Sequence, residues 1–260
     1  MECRLKAKKC GGCPMLGLDY AEQLKQKEAA VRKLVGKYGP VAPIRGAENP
    51  CHYRNKVIST FAAGPGGKLV SGIYAAGTHK VLPVESCLLQ DEVLDTVMQA
   101  VRAAASTCRY QPYNEDKSTG LLRHCLLRRG VVSGQVMVVL VTAQPVLPGA
   151  KNFVRALLAE AEKRHVPVTT VVQNYNPRRT SVVLGEEEKV LYGKGFILDT
   201  LCGKTYALSP RSFYQINHDQ TEVLYGLAVE AARLTGKEVV LDAYCGIGTI
   251  GLTASGRVKQ

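Results

Sequence analysis

The stretch Leu241-Asp-Ala-Tyr-Cys-Gly-Ile-Gly-Thr-Ile-Gly-Leu252 decides how the last part of the chain is expected to fold. Gly246, Gly248 and Gly251 follow the spacing G-x-G-x-x-G, directly after the mostly apolar run from Glu238 to Ala243. We expect this run to form a buried strand and the glycines to open a helix, because glycine lets the backbone turn sharply and approach a ligand closely. A strand, a glycine-rich turn and a helix form the opening unit of a doubly wound nucleotide-binding sheet.

The glycine spacing does not by itself select a ligand. No Lys-Ser or Lys-Thr pair follows the glycines, which disfavours a phosphate loop for nucleoside triphosphates. A dinucleotide site needs an acidic residue about 20 positions further on, and the sequence ends nine residues after Gly251. Asp242 and Tyr244 are compatible with either NAD or S-adenosylmethionine (SAM), so both cofactors remain open at this point.

Upstream of the glycines, apolar spacing predicts a mixture of helices and strands. Helices are expected over 20–37, 91–105, 150–164 and 219–234, and strands over 57–62, 123–129, 135–143, 169–174, 181–184, 189–192 and 203–208. This mixture is typical of an α+β arrangement. We expect three segments: 1–90 with β structure, a central α+β segment over 91–195, and 196–260 leading into the glycine loop.

The charge balance favours a polyanionic partner. The chain has 34 Lys and Arg against 22 Asp and Glu, a net charge of +12, and phosphates attract such a surplus whatever their sequence. Within the basic segments 52–56 and 123–129, the candidate RNA contacts are Arg54, Lys56, Arg123 and Arg128. The sequence shows neither an apolar signal region nor a membrane-length apolar run, so we expect a cytoplasmic monomer without a membrane partner.

Three of the nine cysteines crowd the N-terminus, and this distribution indicates a metal site or cluster. Cys10 and Cys13 are separated by Gly11-Gly12, so a tight turn can present both thiolates to one metal centre. With Cys3 and Cys87 they make four thiolates, which suit either a structural zinc or a [4Fe–4S] cluster.

Two segments together resemble the RNA uracil-5-methyltransferases. The run from Val240 through the glycines is similar to the first SAM motif of that family, and Ser209-Pro-Arg-Ser-Phe-Tyr-Gln-Ile-Asn217 is similar to a second family segment. The resemblance implies that Gln215, Tyr244 and Thr249 contact SAM, in a loop that also includes Asp242, Gly246 and Gly248. Thr249 stands where the family often has Asn, and its hydroxyl can still hydrogen-bond.

The cysteine pattern resembles the iron–sulfur branch of the same family, whose members act on ribosomal RNA. This resemblance implies a [4Fe–4S] cluster on Cys3, Cys10, Cys13 and Cys87 and 23S rRNA as the substrate. The first spacer is six residues where five is usual, so Cys3 departs from the pattern. The expected fold is an α+β N-terminal and central part with an iron–sulfur segment, followed by the start of a Rossmann-like α/β SAM-dependent methyltransferase domain.

The family's reaction implies covalent catalysis. A cysteine thiolate adds to uracil C6, C5 takes the methyl group from SAM, and a base removes the C5 proton. In the family both groups lie downstream of the first SAM motif, so no catalytic residue is assigned here, and we expect the chain to be shortened at its C-terminus and inactive alone. The alternatives are a tRNA uracil-5-methyltransferase, a non-catalytic metal-stabilised RNA-binding module and an NAD-dependent enzyme.

Overall fold

The computed structural model describes residues 3–260. The helices longer than one turn are α1 (Tyr20–Val35), α2 (Glu92–Thr107), α3 (Ala150–Lys163), α4 (His218–Ala231) and α5 (Thr249–Ala254). The strands are β1 (Lys56–Ala63), β2 (Leu69–Tyr74), β3 (Val81–Pro83), β4 (Leu122–Arg129), β5 (Val136–Thr142), β6 (Thr170–Tyr175), β7 (Glu187–Tyr192), β8 (Ile197–Leu201) and β9 (Lys204–Leu208).

Seven of the strands form one sheet in the order β3-β2-β1-β4-β5-β6-β7. Neighbouring strands are antiparallel except β5 and β6, which are parallel and are connected through α3. A parallel pair needs such a crossover, because a tight turn can only reverse the chain direction. The sheet contains strands from both sides of residue 90, where the first predicted segment ends, and β8 and β9 form a separate hairpin.

The sheet buries one face under α2 and α3. The N-cap residue Asp91 accepts a 2.9 Å hydrogen bond from the backbone N–H of Val93, which satisfies one of the free donors of the first turn of α2. Apolar residues of α2 and α3 then recur on the side that faces the sheet. This core includes Leu94, Val97, Val101, Leu127, Val138, Leu140, Phe153 and Leu157.

The other face of the sheet packs against the β8–β9 hairpin and α4. Successive strand residues point to opposite faces, so Leu126 and Val139 face this side while their neighbours Leu127 and Val138 face the helices. The second core also includes Ile197, Leu201, Tyr206, Leu208, Tyr214 and Tyr225. Because β4 and β5 are covered on both faces, they position the chain segments that follow β9.

The strand expected over Glu238 to Ala243 is not formed. Val239 is 70 % exposed and Leu241 is 88 % exposed, and backbone bonds in this region join Glu238 and Val240 to Lys259 and Gln260. A buried parallel strand needs covered faces and paired neighbours. Among the described residues the side chains of Val239 and Leu241 are uncovered, and the bonds to Lys259 and Gln260 do not make a strand, although the apolar run predicted one.

The iron–sulfur segment in the expected fold is also wrong. Residues 3–260 contain no group of three or more His, Cys, Asp or Glu side chains that could hold a metal ion. Instead, the chain from residue 3 to residue 13 packs as a loop against the β2–β3 hairpin, with the buried Leu5 and a backbone bridge between Cys10 and Ala75. The N-terminal segment is therefore held in place by its packing on the sheet.

The two-sided burial of β5 gives a stability prediction. Leu140 is fully buried, so Leu140→Ala should lower the free energy of unfolding by about 2–5 kcal/mol through lost burial and a residual cavity. Leu34 is 70 % exposed on α1, so Leu34→Ala is the matched control and should change it by less than about 0.5 kcal/mol. Urea unfolding followed by circular dichroism measures both, and equal losses would contradict the core assignment.

Candidate cofactor and RNA site

The glycine loop forms a tight, exposed turn. Gly246 and Gly248 have φ values of 58° and 77°, a region that glycine enters without steric cost. Tyr244 has a φ of 60°, which is unusual for a bulky residue, and its side chain is fully exposed. The loop therefore presents an aromatic ring to solvent immediately before the two glycines.

Two side-chain contacts fix the position of helix α5, one to the glycine turn and one to α4. The Asp242 carboxylate accepts a 2.9 Å hydrogen bond from the Gly251 N–H. A Cβ at Gly251 would lie 2.9 Å from the same carboxylate oxygen, so glycine is needed for the close approach. The Thr249 hydroxyl lies 3.0 Å from the Tyr225 hydroxyl, which joins the start of α5 to α4.

The segment that contains Gln215 is held against the large sheet. Asn55 donates its side-chain N–H to the Gln215 carbonyl at 3.1 Å and its backbone N–H to the Ile216 carbonyl at 3.0 Å. Arg128 on β4 donates from Nη2 to the Ser212 carbonyl at 2.7 Å. These bonds fix the backbone around Gln215 through residues that stand before β1 and within β4.

An aromatic pair connects the Gln215 segment with the glycine loop. The rings of Tyr214 and Tyr206 lie 6.3 Å apart, and the Tyr206 hydroxyl lies 3.5 Å from the Thr249 carbonyl. Ile247 packs against the same core. The predicted cofactor residues therefore lie on two segments that share one aromatic layer, and their assignment to a cofactor stays a prediction.

The buried carboxylate of Asp199 holds the aromatic layer in place by accepting hydrogen bonds from it and from the neighbouring backbone. Its Oδ1 accepts from the Val132 N–H at 2.9 Å, and its Oδ2 accepts from the Tyr214 hydroxyl at 3.2 Å. Burial, followed by the charge of Asp199, raises the pKa of Tyr214, so this hydroxyl stays protonated and donates. Sequence reasoning missed Asp199, which stands in no motif, and Asn55, which lies in the basic segment 52–56 but is uncharged. Tyr214, which it also missed, lies within the quoted family segment.

Two of the four predicted RNA-binding cations are buried. Arg123 is 3 % exposed and donates from Nη1 to the Asn176 and Arg178 carbonyls at 2.7 Å and 2.5 Å. Arg128 is 2 % exposed, and burial lowers its pKa to about 10. Both guanidinium groups therefore hold backbone carbonyls instead of facing surface phosphates. A local sequence pattern shows the charge of such residues and does not show their burial.

Arg54 and Lys56 stand at the start of β1 and are half-buried. Burial, followed by the charge of Arg128, lowers the pKa of Lys56. The backbone of Arg54 donates to the Leu89 carbonyl at 2.9 Å and accepts from the Asp91 N–H at 3.1 Å. Their side chains remain candidates for RNA contact, and that assignment stays a prediction.

The four predicted metal ligands, Cys3, Cys10, Cys13 and Cys87, are free, half-buried thiols. Burial raises the pKa of Cys13, and the nearby side chains of Cys87, Cys10 and Cys3 raise it further. The fold therefore brings the four sulfur atoms into one neighbourhood, although they form no ready metal-holding group among the described residues. Their assignment as metal ligands stays a prediction.

Cys245 lies in the glycine loop, between Tyr244 and Gly246. The residue is exposed, and its thiol lies 3.7 Å from the Gly246 carbonyl.

No protein-family model matches the chain. It is 41 % identical over 256 residues to an uncharacterized RNA methyltransferase of Bacillus cereus, covering 96 % of this chain and 55 % of the relative. It is also 41 % identical over 257 residues to an uncharacterized RNA methyltransferase of Listeria monocytogenes, covering 97 % of this chain and 55 % of the relative. The chain thus spans about half the length of these relatives, and its expected resemblance to RNA methyltransferases is confirmed.

A solved structure shares the fold. The crystal structure of Pyrococcus abyssi tRNA (uracil-54, C5)-methyltransferase in complex with S-adenosyl-L-homocysteine (SAH) superposes with a TM-score of 0.77 at 24 % identity. The match covers 96 % of this chain and 58 % of that chain. The shared fold therefore covers almost all of the chain, which corrects the expected fold of an α+β part followed by only the start of a methyltransferase domain.

Among residues 3–260, no helix is both long enough and apolar enough to cross a membrane. The predicted cytoplasmic location and monomeric state stay predictions.

His124 on β4 gives a pH-dependent stability prediction. Burial, followed by the charge of Arg123, lowers its pKa to about 4, against about 6.5 for an unfolded histidine. Neutral His124 therefore contributes fully above pH 6.5, and its contribution is lost as the pH falls toward 4, up to about 3 kcal/mol. Between pH 7.5 and pH 4.5, the wild-type protein should lose about 2 kcal/mol more unfolding free energy than His124→Gln.

Urea unfolding of both proteins at the two pH values measures this difference. The pKa of Asp95 is raised to about 6 by burial, and its protonation favours the folded state in the same window. That opposite effect is present in both proteins, so it cancels when they are compared. An identical pH dependence for wild type and His124→Gln would contradict the assignment.

Proposed function

We propose that the chain is the part of a SAM-dependent RNA (uracil-5-)-methyltransferase that includes the first SAM motif. The observation that carries the proposal is its similarity, at 41 % identity over 96 % of its length, to a protein described as an RNA methyltransferase. The fold shared with a uracil-C5 methyltransferase bound to SAH, and the tight glycine turn at Gly246 and Gly248, support SAM as the cofactor.

The proposed cofactor residues are Gln215, Tyr244, Thr249, Asp242, Gly246 and Gly248. SAM, when bound, supplies an electrophilic methyl group. The exposed ring of Tyr244 offers a flat surface, and the glycines allow close approach of the backbone. Asp242 and Thr249 are engaged with Gly251 and Tyr225, so we assign them to holding the shape of the loop. Gln215 supplies an amide that can both donate and accept.

We propose ribosomal RNA, and within it 23S rRNA, as the substrate, with the basic charge of the chain as support. Arg54 and Lys56 are the proposed RNA contacts at the start of β1. A tRNA is the second candidate, because the structural neighbour is a tRNA (uracil-54, C5)-methyltransferase. We assign no nucleophile or general base to a residue of this chain. A target base would have to leave its stack to reach the cofactor.

The proposal for the four cysteines concerns their side chains only. We propose that Cys3, Cys10, Cys13 and Cys87 are ligands of a [4Fe–4S] cluster; the proximity of Cys87, Cys10 and Cys3 to Cys13, shown by their influence on its pKa, supports this. Because the described side chains form no ready metal-holding group, loading would have to draw the thiols together, as metal binding commonly does when it is coupled to folding.

Iron and sulfide analysis after anaerobic purification tests the cysteine proposal. The wild-type chain should contain iron and acid-labile sulfide in equal amounts, and Cys13→Ser should lose most of both because one thiolate ligand is missing. Cys108→Ser is the matched control, since Cys108 is a half-buried thiol at the end of α2 and should leave the iron content unchanged. A colourless wild-type protein that contains zinc or no metal would contradict the cluster.

Calorimetric titration with SAH tests the cofactor site. SAH should bind the wild-type chain, and Gln215→Ala should weaken the binding by about 10- to 100-fold through the loss of side-chain hydrogen bonds. Gln26→Ala on the exposed face of α1 is the control and should bind like wild type. Equal affinities for Gln215→Ala and wild type would remove Gln215 from the site, and the absence of SAH binding would count against a SAM site.

Transfer of a labelled methyl group from SAM into RNA tests the substrate. With 23S rRNA and tRNA transcripts offered separately, the proposal expects any product to be 5-methyluridine in the ribosomal transcript. Turnover by the 260-residue chain would overturn the expectation that it is inactive alone.

A further inference from the structure

A cavity that is separate from the proposed cofactor residues opens at one end of the large sheet. Its volume is about 350 Å³, and it lies between the end of β1, the β2–β3 hairpin and the loop that precedes β4. The cavity is lined by residues that include Thr60, Tyr74, His79, Tyr113, Glu115, Asp116, Arg123 and His124. A cavity of this size accommodates a flat group such as a nucleobase.

Aromatic rings form the walls of the cavity. Tyr74 and the exposed His79 lie with their rings 5.8 Å apart at a 54° angle. On the other side, the guanidinium carbon of Arg123 lies 5.2 Å from the centre of the Tyr113 ring. Aromatic rings and guanidinium planes are the surfaces on which unpaired RNA bases stack.

The Glu115 carboxylate lines the same cavity and has unused hydrogen-bonding capacity. The Glu115 carboxylate lies 3.8 Å from Arg123 Nη2 and 3.6 Å from His79 Nδ1. Both separations exceed hydrogen-bonding distance, so the carboxylate is oriented by two cationic or ionisable groups and still free to accept.

The charges of the wall select among ligands. Glu115 and Asp116 repel a phosphate group, so a nucleotide would enter by its base and leave its backbone outside. A carboxylate accepts two parallel hydrogen bonds, and guanine presents adjacent N1–H and N2–H donors with an O6 acceptor beside them. The imidazole of His124, which lines the same cavity, can donate to such an acceptor. Adenine and uracil do not present two adjacent donors.

We propose that this cavity is a binding site for an unpaired guanine of the RNA, a proposal that rests on the RNA-directed function above. Glu115 accepts from the N1–H and N2–H edge, and Tyr74 with His79 provides the stacking surface. The site lies on the central sheet and not at the glycine loop, so it would position the RNA strand at a distance from the methylated uracil.

Binding of short RNAs to the full chain tests the proposal. The probes are fluorescein-labelled heptamers of uridine with a single central guanosine or adenosine, measured by anisotropy, and guanosine and adenosine alone, measured by ligand-detected NMR. The guanosine heptamer should bind at least about 10-fold more tightly than the adenosine heptamer, as expected for charge-assisted hydrogen bonds. Glu115→Gln should abolish that preference, Tyr74→Ala should weaken both heptamers, and Tyr74→Phe should keep the affinity.

Glu162→Gln is the matched control, because Glu162 is an exposed carboxylate on α3 outside the cavity. RNA binding without a preference for guanosine, or a preference that persists in Glu115→Gln, would overturn the guanine site and leave the RNA-directed function standing. Binding of guanosine alone that is lost in Glu115→Gln, together with no RNA binding at all, would support the site and count against the proposed function.

Discussion

The fold depends on two buried side chains that connect the large sheet to the segment around Gln215. Arg128 donates to the Ser212 carbonyl, and Asn55 donates to the Gln215 carbonyl. Both partners are backbone atoms, so the bonds fix the path of the chain independently of its side chains. Together with the bond from the Asn55 backbone N–H to the Ile216 carbonyl, they hold the segment against the start of β1 and against β4.

The use of Arg128 for this connection costs folding free energy. Its Nε and Nη1 are buried without hydrogen-bond partners among the described residues, and burial lowers its pKa to about 10. A buried charge without a paired carboxylate costs several kcal/mol, which a neutral donor would avoid. The buried Asp199 carboxylate accepts a hydrogen bond from Tyr214, so a second buried ionisable group is also bound to the chain near Gln215.

The sequence predicts helices and sheet strands well where local signals and burial agree. Asp91 stands before a run with helical apolar spacing, and α2 begins at Glu92 as that pattern indicates. The same reasoning fails at Val239 to Leu241, because an apolar run becomes a strand only when neighbouring strands pair with it. For α1, the spacing predicts the helix correctly, but none of its residues is buried. Pairing and burial are tertiary facts that a local pattern does not contain.

In the candidate site, too, the sequence indicates the chemistry of the residues but not their burial. The motif around Gly246 and the segment with Gln215 are recognisable from residue types, because each needs particular backbone freedom or functional groups. Arg123 was selected for its charge, yet its guanidinium supports two backbone carbonyls and one wall of a cavity. In the proposed guanine site, this cation on an interior strand shapes one wall of a pocket for a base. The proposed phosphate contacts fall instead to Arg54 and Lys56, which stand at the start of β1 and are half-buried.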